Sequence, residues 1–265
     1  MVTAGVPVET GTPALELRAV SKAFGRVQAL KRVDLIARPG EIHGIVGDNG
    51  AGKSTMLKIM SGIYQSDTGA LFINGSPASL HSPAEALRRG IAVVYQDLAL
   101  VEVLDVATNM ALGNLPRRRG MLDRRRMKRD AEHVFTELKI RVGSVDTPVG
   151  LLSGGERQIV AIARAVRKNG QIILLDEPTA ALGVRETAHV GEIVSGVRDQ
   201  GKAVICISHD LEFVFKHADR ITVMRLGNSV GVRDVAQTSK DEIVGLITGT
   251  IGPDDVTDRE EVDLL

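Results

Sequence analysis

The stretch Ile42-His43-Gly44-Ile45-Val46-Gly47-Asp48-Asn49-Gly50-Ala51-Gly52-Lys53-Ser54 decides the fold class of this chain. Its first five residues form a short, mainly apolar run, typical of a strand buried in a parallel sheet. The next eight residues fit the pattern G-x-x-x-x-G-K-[ST], and helical patterning follows over Thr55–Ile63. A buried strand, a glycine-rich loop and a helix in direct succession predict an α/β fold, with the loop at the carboxyl end of the strand.

The loop Gly47–Ser54 has the composition of a site for nucleotide phosphates. Glycines let the backbone curl so that N–H groups point inward, and the helix N-terminus adds positive potential. Lys53 offers a mobile charge to the outer phosphates, and the Ser54 hydroxyl suits Mg²⁺, a cation that prefers oxygen ligands. The alternative, a chance glycine-rich turn, is disfavoured by the strand–loop–helix setting. The predicted nucleotide-binding residues here are Gly47, Asn49, Gly50, Gly52, Lys53, Ser54 and Thr55.

Further short runs rich in Val and Ile predict the rest of a mostly parallel sheet, with helices as crossovers. These strands are Ile91–Tyr95, Ile172–Leu175, Ala203–Ile207 and Ile221–Met224, preceded in the chain by Leu15–Val20 and Val33–Ala37. The predicted helices are Thr55–Ile63, Ala84–Arg89, Gly155–Lys168, Val184–Asp199 and Lys240–Leu246. No strand-like run separates Ile91–Tyr95 from Ile172–Leu175. Helical patterning at Asp105–Gly113 and Asp123–Leu138 therefore predicts an inserted helical subdomain.

Two acids, Asp176 and Glu177, end the strand Ile172–Leu175. Neighbouring residues of a strand point in opposite directions, so the two carboxylates can serve different purposes. We expect Asp176 to hold Mg²⁺ and Glu177 to polarise an attacking water. A solvent-facing acidic turn before Pro178 is the alternative, which the upstream phosphate loop disfavours.

Composition narrows the class of protein. The 265 residues carry 33 basic and 33 acidic side chains and only 3% aromatics, which weighs against nucleic acid as the main partner. The single cysteine, Cys206, lies in an apolar run and is expected to be a buried core thiol. No apolar run approaches the roughly 18 residues of a membrane span, and Met1–Pro13 does not look like a signal peptide. We therefore expect a soluble or peripheral chain, with any pore supplied by another polypeptide.

A basic run contains Arg117-Arg118-Arg119, Arg124-Arg125-Arg126, Lys128 and Arg129. A solvated helix face or loop is the default interpretation of such a run. Contact with acidic lipid or with a partner remains the alternative.

The segment Leu152-Ser153-Gly154-Gly155-Glu156-Arg157-Gln158 predicts a second anion-binding helix start. Its small residues Ser153, Gly154 and Gly155 allow close approach of the backbone to a ligand. One site would not need two such helix starts, so the pair fits a nucleotide held between two subunits.

Leu152–Gln158 resembles the signature sequence of ABC-transporter ATPases, and the resemblance covers roughly residues 15–247. It implies a P-loop NTPase core with an N-terminal antiparallel β-subdomain and a helical subdomain at about 98–160. Residues 1–14 would be a loose leader and residues 248–265 an acidic tail. It further implies that Phe24 stacks on adenine, that Gln96 senses the γ-phosphate and its Mg²⁺, and that His209 contacts the γ-phosphate. With Lys53 and Glu177, His209 would be catalytic.

The same resemblance implies an ATPase that dimerises on binding ATP at the cytoplasmic face of a membrane. Its partners would be permease subunits and, indirectly, a solute-binding protein, with no nucleic acid. The stretches Asp176–Val184 and Leu122–Met127 look like those of bacterial carbohydrate importers, of which the shorter, single-domain fructose-type members are similar to this chain. A sugar is therefore the expected solute.

One position departs from the family pattern: Gly183 stands where an aspartate is usual, which puts the coupling of the two sites in doubt. The remaining histidines match no motif and are expected to be structural: His43, His81, His133, His189 and His217. Two other classes stay open. A soluble ABC-type ATPase acting on DNA or ribosomes would share these motifs. A GTPase or kinase would share only the phosphate loop, and the signature and His209 argue against it.

Overall fold

The computed structural model describes residues 11–140, 143–168 and 170–252. The predicted leader up to residue 10 and the predicted acidic tail from residue 253 onward lie outside this range. The strands are β1 Leu15–Phe24, β2 Val27–Ala37, β3 Ile42–Gly47, β4 Thr68–Ile73, β5 Ser76–Ala78, β6 Ile91–Val94, β7 Arg117–Arg118, β8 Met121–Leu122, β9 Ile172–Asp176, β10 Ala203–Ile207, β11 Arg220–Arg225 and β12 Asn228–Asp234. The helices are α1 Lys53–Met60, α2 Pro83–Arg88, α3 Val106–Ala111, α4 Arg124–Glu137, α5 Gly154–Arg167, α6 Val184–Asp199, α7 Leu211–His217 and α8 Lys240–Thr248.

The central sheet has six strands in the order β12-β11-β3-β10-β9-β6. Strands β11, β3, β10, β9 and β6 run parallel, and only the edge strand β12 is antiparallel. The predicted mostly parallel sheet is thus confirmed. Its parallel strands end at one edge, which is where α/β sheets bind their ligands.

Successive side chains of an inner strand point to opposite faces of the sheet, which explains the two layers of the core. Ile172 and Leu174 of β9 face one hydrophobic cluster, which contains α1 and the first antiparallel sheet. Ile173 and Leu175 face the other cluster, which contains α3, α4, α5 and α6. Because both faces are covered, β9 is apolar at every position from Ile172 to Leu175, as is typical of a buried parallel strand.

The predicted antiparallel β-subdomain is also confirmed, as the four-stranded sheet β2-β1-β4-β5. It packs with α1 on one face of the central sheet. The expectation that no strand lies between β6 and β9 is wrong, because β7 and β8 pair as a short hairpin. Its strands are two residues each, too short to show an alternating pattern, and positive φ angles at Arg119 and Gly120 make the turn.

Candidate nucleotide-binding site

The loop Gly47–Ser54 leaves the carboxyl end of β3 through positions that only glycine fits. Gly47 has φ 149°, and a Cβ there would lie 2.1 Å from the carbonyl oxygen of Met224. Gly52 has φ 104°, and its Cβ would lie 2.6 Å from the carbonyl oxygen of Ala29. The loop is therefore held tightly against two neighbouring strands where it begins and where α1 starts.

The start of α1 carries the features of an anion site. Gly52 is the N-cap and no side chain caps the helix, so no side-chain oxygen competes for the first-turn N–H groups. Lys53 is buried, and its Nζ donates to the carbonyl oxygens of Gly47 at 2.6 Å and Asp48 at 3.0 Å. Burial lowers the pKa of Lys53, while the charges of Glu177, Asp48 and Asp176 oppose the shift. Asn49, Gly50 and Ser54 are exposed beside it, and Thr55 is half-buried.

Asp176 and Glu177 lie two strands away from the loop, because β10 separates β3 from β9. Burial and the neighbouring Glu177 raise the pKa of Asp176, and Lys58 and Lys53 oppose the shift. Glu177 has φ 51°, a left-handed conformation that is uncommon outside glycine and marks local strain. Its N–H donates to the carbonyl oxygen of Ile207 at 2.9 Å, which fixes it against β10.

His209 follows β10 and meets Glu177 directly. Its Nδ1 lies 2.7 Å from Glu177 Oε2, and its backbone N–H donates to the same oxygen at 3.2 Å. The imidazole of His209 is 71% exposed, whereas the Glu177 side chain is only 16% exposed. Solvent therefore reaches the histidine of this pair far more than the glutamate. Ser208 donates its N–H to the carbonyl oxygen of Ile45, which ties this turn to β3.

Two further predicted residues, Gln96 and Phe24, lie outside the strands that carry the loop and the acids. Gln96 is exposed just beyond the end of β6, the outermost strand, which pairs with β9. Phe24 ends β1 and is 43% exposed. Its ring stands edge-on to Tyr64 at 5.1 Å, and Lys22 Nζ lies 5.6 Å from its centroid.

Ser153, Gly154 and Gly155 lie at the start of α5 and not at the phosphate loop. Ser153 and Glu156 form a reciprocal capping box. In the described part of the chain, none of the three makes a hydrogen bond with residues 47–54. Among the described residues of one copy, the two predicted anion-binding helix starts therefore share no hydrogen bond.

Glu186, which was not among the predicted site residues, joins the α5 start to the turn before α6. Its Oε2 accepts the Gly183 N–H at 3.1 Å, and its Oε1 accepts the Gly155 N–H at 3.4 Å. Hydrogen bonds from Gly183, from Ser153 and from Gly155 lower the pKa of Glu186. The sequence does contain a signal for Glu186, because it stands three residues after the N-cap of α6, Gly183. That is the spacing of a capping box, here with glycine at the N-cap.

Mg²⁺ fits the chemistry at the sheet edge. In residues 11–140, 143–168 and 170–252, no three His, Cys, Asp or Glu side chains form a metal cluster. The oxygens of Ser54, Asp176 and Gln96 match the donors that Mg²⁺ takes, and this ion completes its shell with water and substrate phosphates. The carboxyl of Asp176 is half-buried and burial raises its pKa, so a bound cation would favour its charged form.

Among the described helices, none combines the length and the hydropathy needed to cross a bilayer.

The family model described as ABC transporter matches residues 30–180. The chain is 41% identical to the ribose import ATP-binding protein RbsA of Chromobacterium violaceum over 88% of its length and 46% of that protein. RbsA 1 of Rubrobacter xylanophilus is 43% identical over 89% of this chain and 47% of that protein. The chain thus spans about half the length of the curated relatives it matches.

Solved structures share the fold. A bacterial ABC transporter cassette solved as a dimer has a TM-score of 0.71 at 27% identity, covering 83% of this chain and 98% of that one. A nucleotide-free ATP-binding cassette from an ABC transporter has a TM-score of 0.74 at 24% identity, covering 89% of this chain and 95% of that one.

Proposed function

The chain belongs to the ABC transporter family, and on that basis we propose that it binds and hydrolyses ATP as a dimer to drive import of a small solute through separate membrane permease subunits. One observation carries the proposal. The loop Gly47–Ser54, Asp176 and the Glu177–His209 pair share one sheet edge, whereas Ser153–Gly155 lies at another helix start.

Each group at the edge has a task in phosphoryl transfer. The loop N–H groups and the start of α1 receive the phosphates, and Lys53 exchanges its loop carbonyl partners for outer phosphate oxygens. Ser54, Asp176 and Gln96 would hold Mg²⁺, which would neutralise phosphate charge when bound. Glu177 orients the attacking water, and His209 holds the Glu177 carboxylate and faces the γ-phosphate. Phe24 offers its exposed ring to the adenine.

The separated helix starts support a two-fold arrangement. Ser153–Gly155 of one copy would complete the phosphate site of the other, an isologous contact that occurs twice. ATP binds such a closed pair better than the open one, so it shifts the population toward the dimer.

The solute class follows from the relatives. The RbsA proteins are named as ribose import ATP-binding proteins, so we propose a sugar as the solute. A permease and a solute-binding protein are the implied partners, and the chain would sit peripherally at the cytoplasmic face. Residues 15–247 would form the ATPase domain, with residues 98–160 as the helical subdomain that touches the permease.

The test replaces Glu177 by Gln, which keeps the shape and removes the base. We expect Glu177→Gln to retain ATP and to run as a dimer on size-exclusion chromatography with light scattering, in the presence of ATP and Mg²⁺. The control is Glu132→Gln, on the exposed face of α4, which should behave as the unmodified chain. A Glu177→Gln variant that stays monomeric with ATP and Mg²⁺ would count against the shared site.

The partner class is tested by recovering tagged Glu177→Gln from native membranes with ATP. A multi-span permease and a sugar-binding protein support import. Ribosomal or DNA-repair proteins, without a membrane protein, would favour the soluble class of ABC-type ATPase.

A further inference from the structure

The short hairpin of β7 and β8 lies between α3 and α4 in the chain, and its residues are exposed. Its strands pair Arg117 with Leu122 and Arg118 with Met121. Arg119 and Gly120 join them with φ 52° and 82°, the two positive angles of a tight type I′ turn. The hairpin leads directly into α4. We call residues 117–125 the arginine hairpin.

Apolar side chains of the arginine hairpin face water. Met121 is 73% exposed and Leu122 is 50% exposed, and all residues from 117 to 122 are exposed. Directly opposed residues of an antiparallel pair share a face, so each face presents one arginine beside one apolar side chain. Neither face packs on a core, and a lone two-stranded ribbon is only marginally stable in water.

The arginines of this hairpin serve no visible structural purpose. In the described part of the chain, Arg117, Arg118, Arg119, Arg124 and Arg125 form no ion pair. The two acids closest in sequence have other partners. Asp123 caps α4 by accepting the Arg126 N–H at 3.0 Å, and Asp130 lies 2.9 Å from Arg167 and 3.9 Å from Arg126.

The position of Arg124 and Arg125 works against helix stability. They stand in the first turn of α4, which has no acidic residue. The positive end of the helix dipole disfavours cations there. A charge that stabilises neither its helix nor its surroundings is best explained by a ligand of opposite sign.

We propose that the arginine hairpin docks on an anionic lipid bilayer, with guanidinium groups at the headgroup phosphates and Met121 and Leu122 inserted among the acyl chains. A fluid bilayer surface accepts both kinds of side chain at once, and the exposed ribbon presents both. A nucleic acid or a wholly acidic protein segment would pair with the arginines but would leave Met121 and Leu122 in water. A permease surface could cover both kinds of side chain, so the permease is left out of the assay and binding then reports on lipid alone. The proposal does not depend on the identity of the transported solute or on ATP hydrolysis.

The test is co-sedimentation of the full chain, without permease, with vesicles of phosphatidylcholine alone or with about a third phosphatidylglycerol. We expect binding only to the anionic vesicles, weakened by added salt. Arg117→Gln/Arg118→Gln/Arg124→Gln should lower the partition coefficient on the order of a hundredfold. Met121→Ser should lower it by roughly tenfold. These side chains are exposed, so the variants should fold, which retained ATP binding would verify.

The matched control removes as much charge elsewhere. Lys31→Gln/Arg32→Gln/Arg88→Gln affects three exposed cations outside the hairpin, and it should bind anionic vesicles nearly as well as the unmodified chain. An equal loss in this control would show that only net charge matters and would overturn the proposal. So would equal binding to neutral vesicles. Tight binding to RNA or DNA with vesicle binding unaffected by Met121→Ser would replace the lipid by nucleic acid.

Discussion

A methyl group added at Gly47 should destabilise the fold far more than the same group at Gly50, three residues along the same loop. The Cβ at Gly47 would lie 2.1 Å from the carbonyl oxygen and 3.0 Å from the carbonyl carbon of Met224, and both atoms belong to the backbone. Met224 is the register partner of Gly47 in β11, so relief requires spreading the two strands. Gly50, with φ 81°, has no atom within 4 Å of its Cβ.

The two substitutions share one cost and differ in another. Both place a non-glycine residue at positive φ, which costs about 1 to 2 kcal/mol in the left-handed region near Gly50 and no less at Gly47, whose φ is 149°. Alanine also restricts the unfolded chain, which offsets about 0.4 to 1 kcal/mol in both variants. Only Gly47→Ala adds overpacking, typically about 1 to 3 kcal/mol. We therefore expect Gly50→Ala to lower the free energy of unfolding by about 1 kcal/mol and Gly47→Ala by a further 1 to 3, roughly.

Urea unfolding followed by circular dichroism, without nucleotide, measures both values. Because the strain at Gly47 also moves the start of the loop, Gly47→Ala should weaken ATP binding as well. Equal destabilisation of the two variants would refute the steric argument, since it would leave only the shared φ cost.

Two further predictions concern Glu186 and His43. Glu186→Ala should raise ATP-driven dimerisation up to about tenfold, because it frees the Gly155 N–H, which Glu186 otherwise accepts, for a phosphate oxygen. Binding of ATP to the monomer should not change, and Glu192→Ala, on the exposed face of α6, is the control. Burial holds the pKa of His43 below its ordinary value. As the pH falls through about 6.5, His43 therefore binds a proton in the unfolded chain but not in the folded chain. The free energy of unfolding should decline between pH 8 and pH 5.5 for this reason. His43→Gln should decline less in the same urea titrations, and an unchanged slope would exclude His43 as the cause.

The sequence predicted the buried strands well because both of their faces are apolar. Strand β12 escaped prediction because every residue from Asn228 to Asp234 is only half-buried at a sheet edge, where no apolar pattern is needed. Helix α7 is too short for a periodic pattern, and only its cap, Asp210, marks its start. Strand β4 begins with the exposed pair Thr68-Gly69, which looks like a turn.

At the site, the sequence supplied the residues but not the distances between them. The loop, Asp176, Glu177 and His209 could be picked from motifs in chain order. Their adjacency depends on strand order, and β10 lies between β3 and β9 although it follows both in the chain. The left-handed backbone of Glu177 could not be predicted, because nothing in its residue type favours φ 51°.

The capping of the two helix starts suggests the order in which they engage a nucleotide. The start of α1 has no side-chain cap, so its N–H groups need no rearrangement before they meet phosphates. The start of α5 already uses donors internally, since Glu156 N–H meets Ser153 Oγ at 3.2 Å and Gly155 N–H meets Glu186 at 3.4 Å. The second of these bonds is long, and a phosphate oxygen can displace it at small cost. We therefore expect ATP to bind the Gly47–Ser54 loop of one copy first, and the α5 start of the second copy to follow by exchanging the Glu186 carboxylate for phosphate.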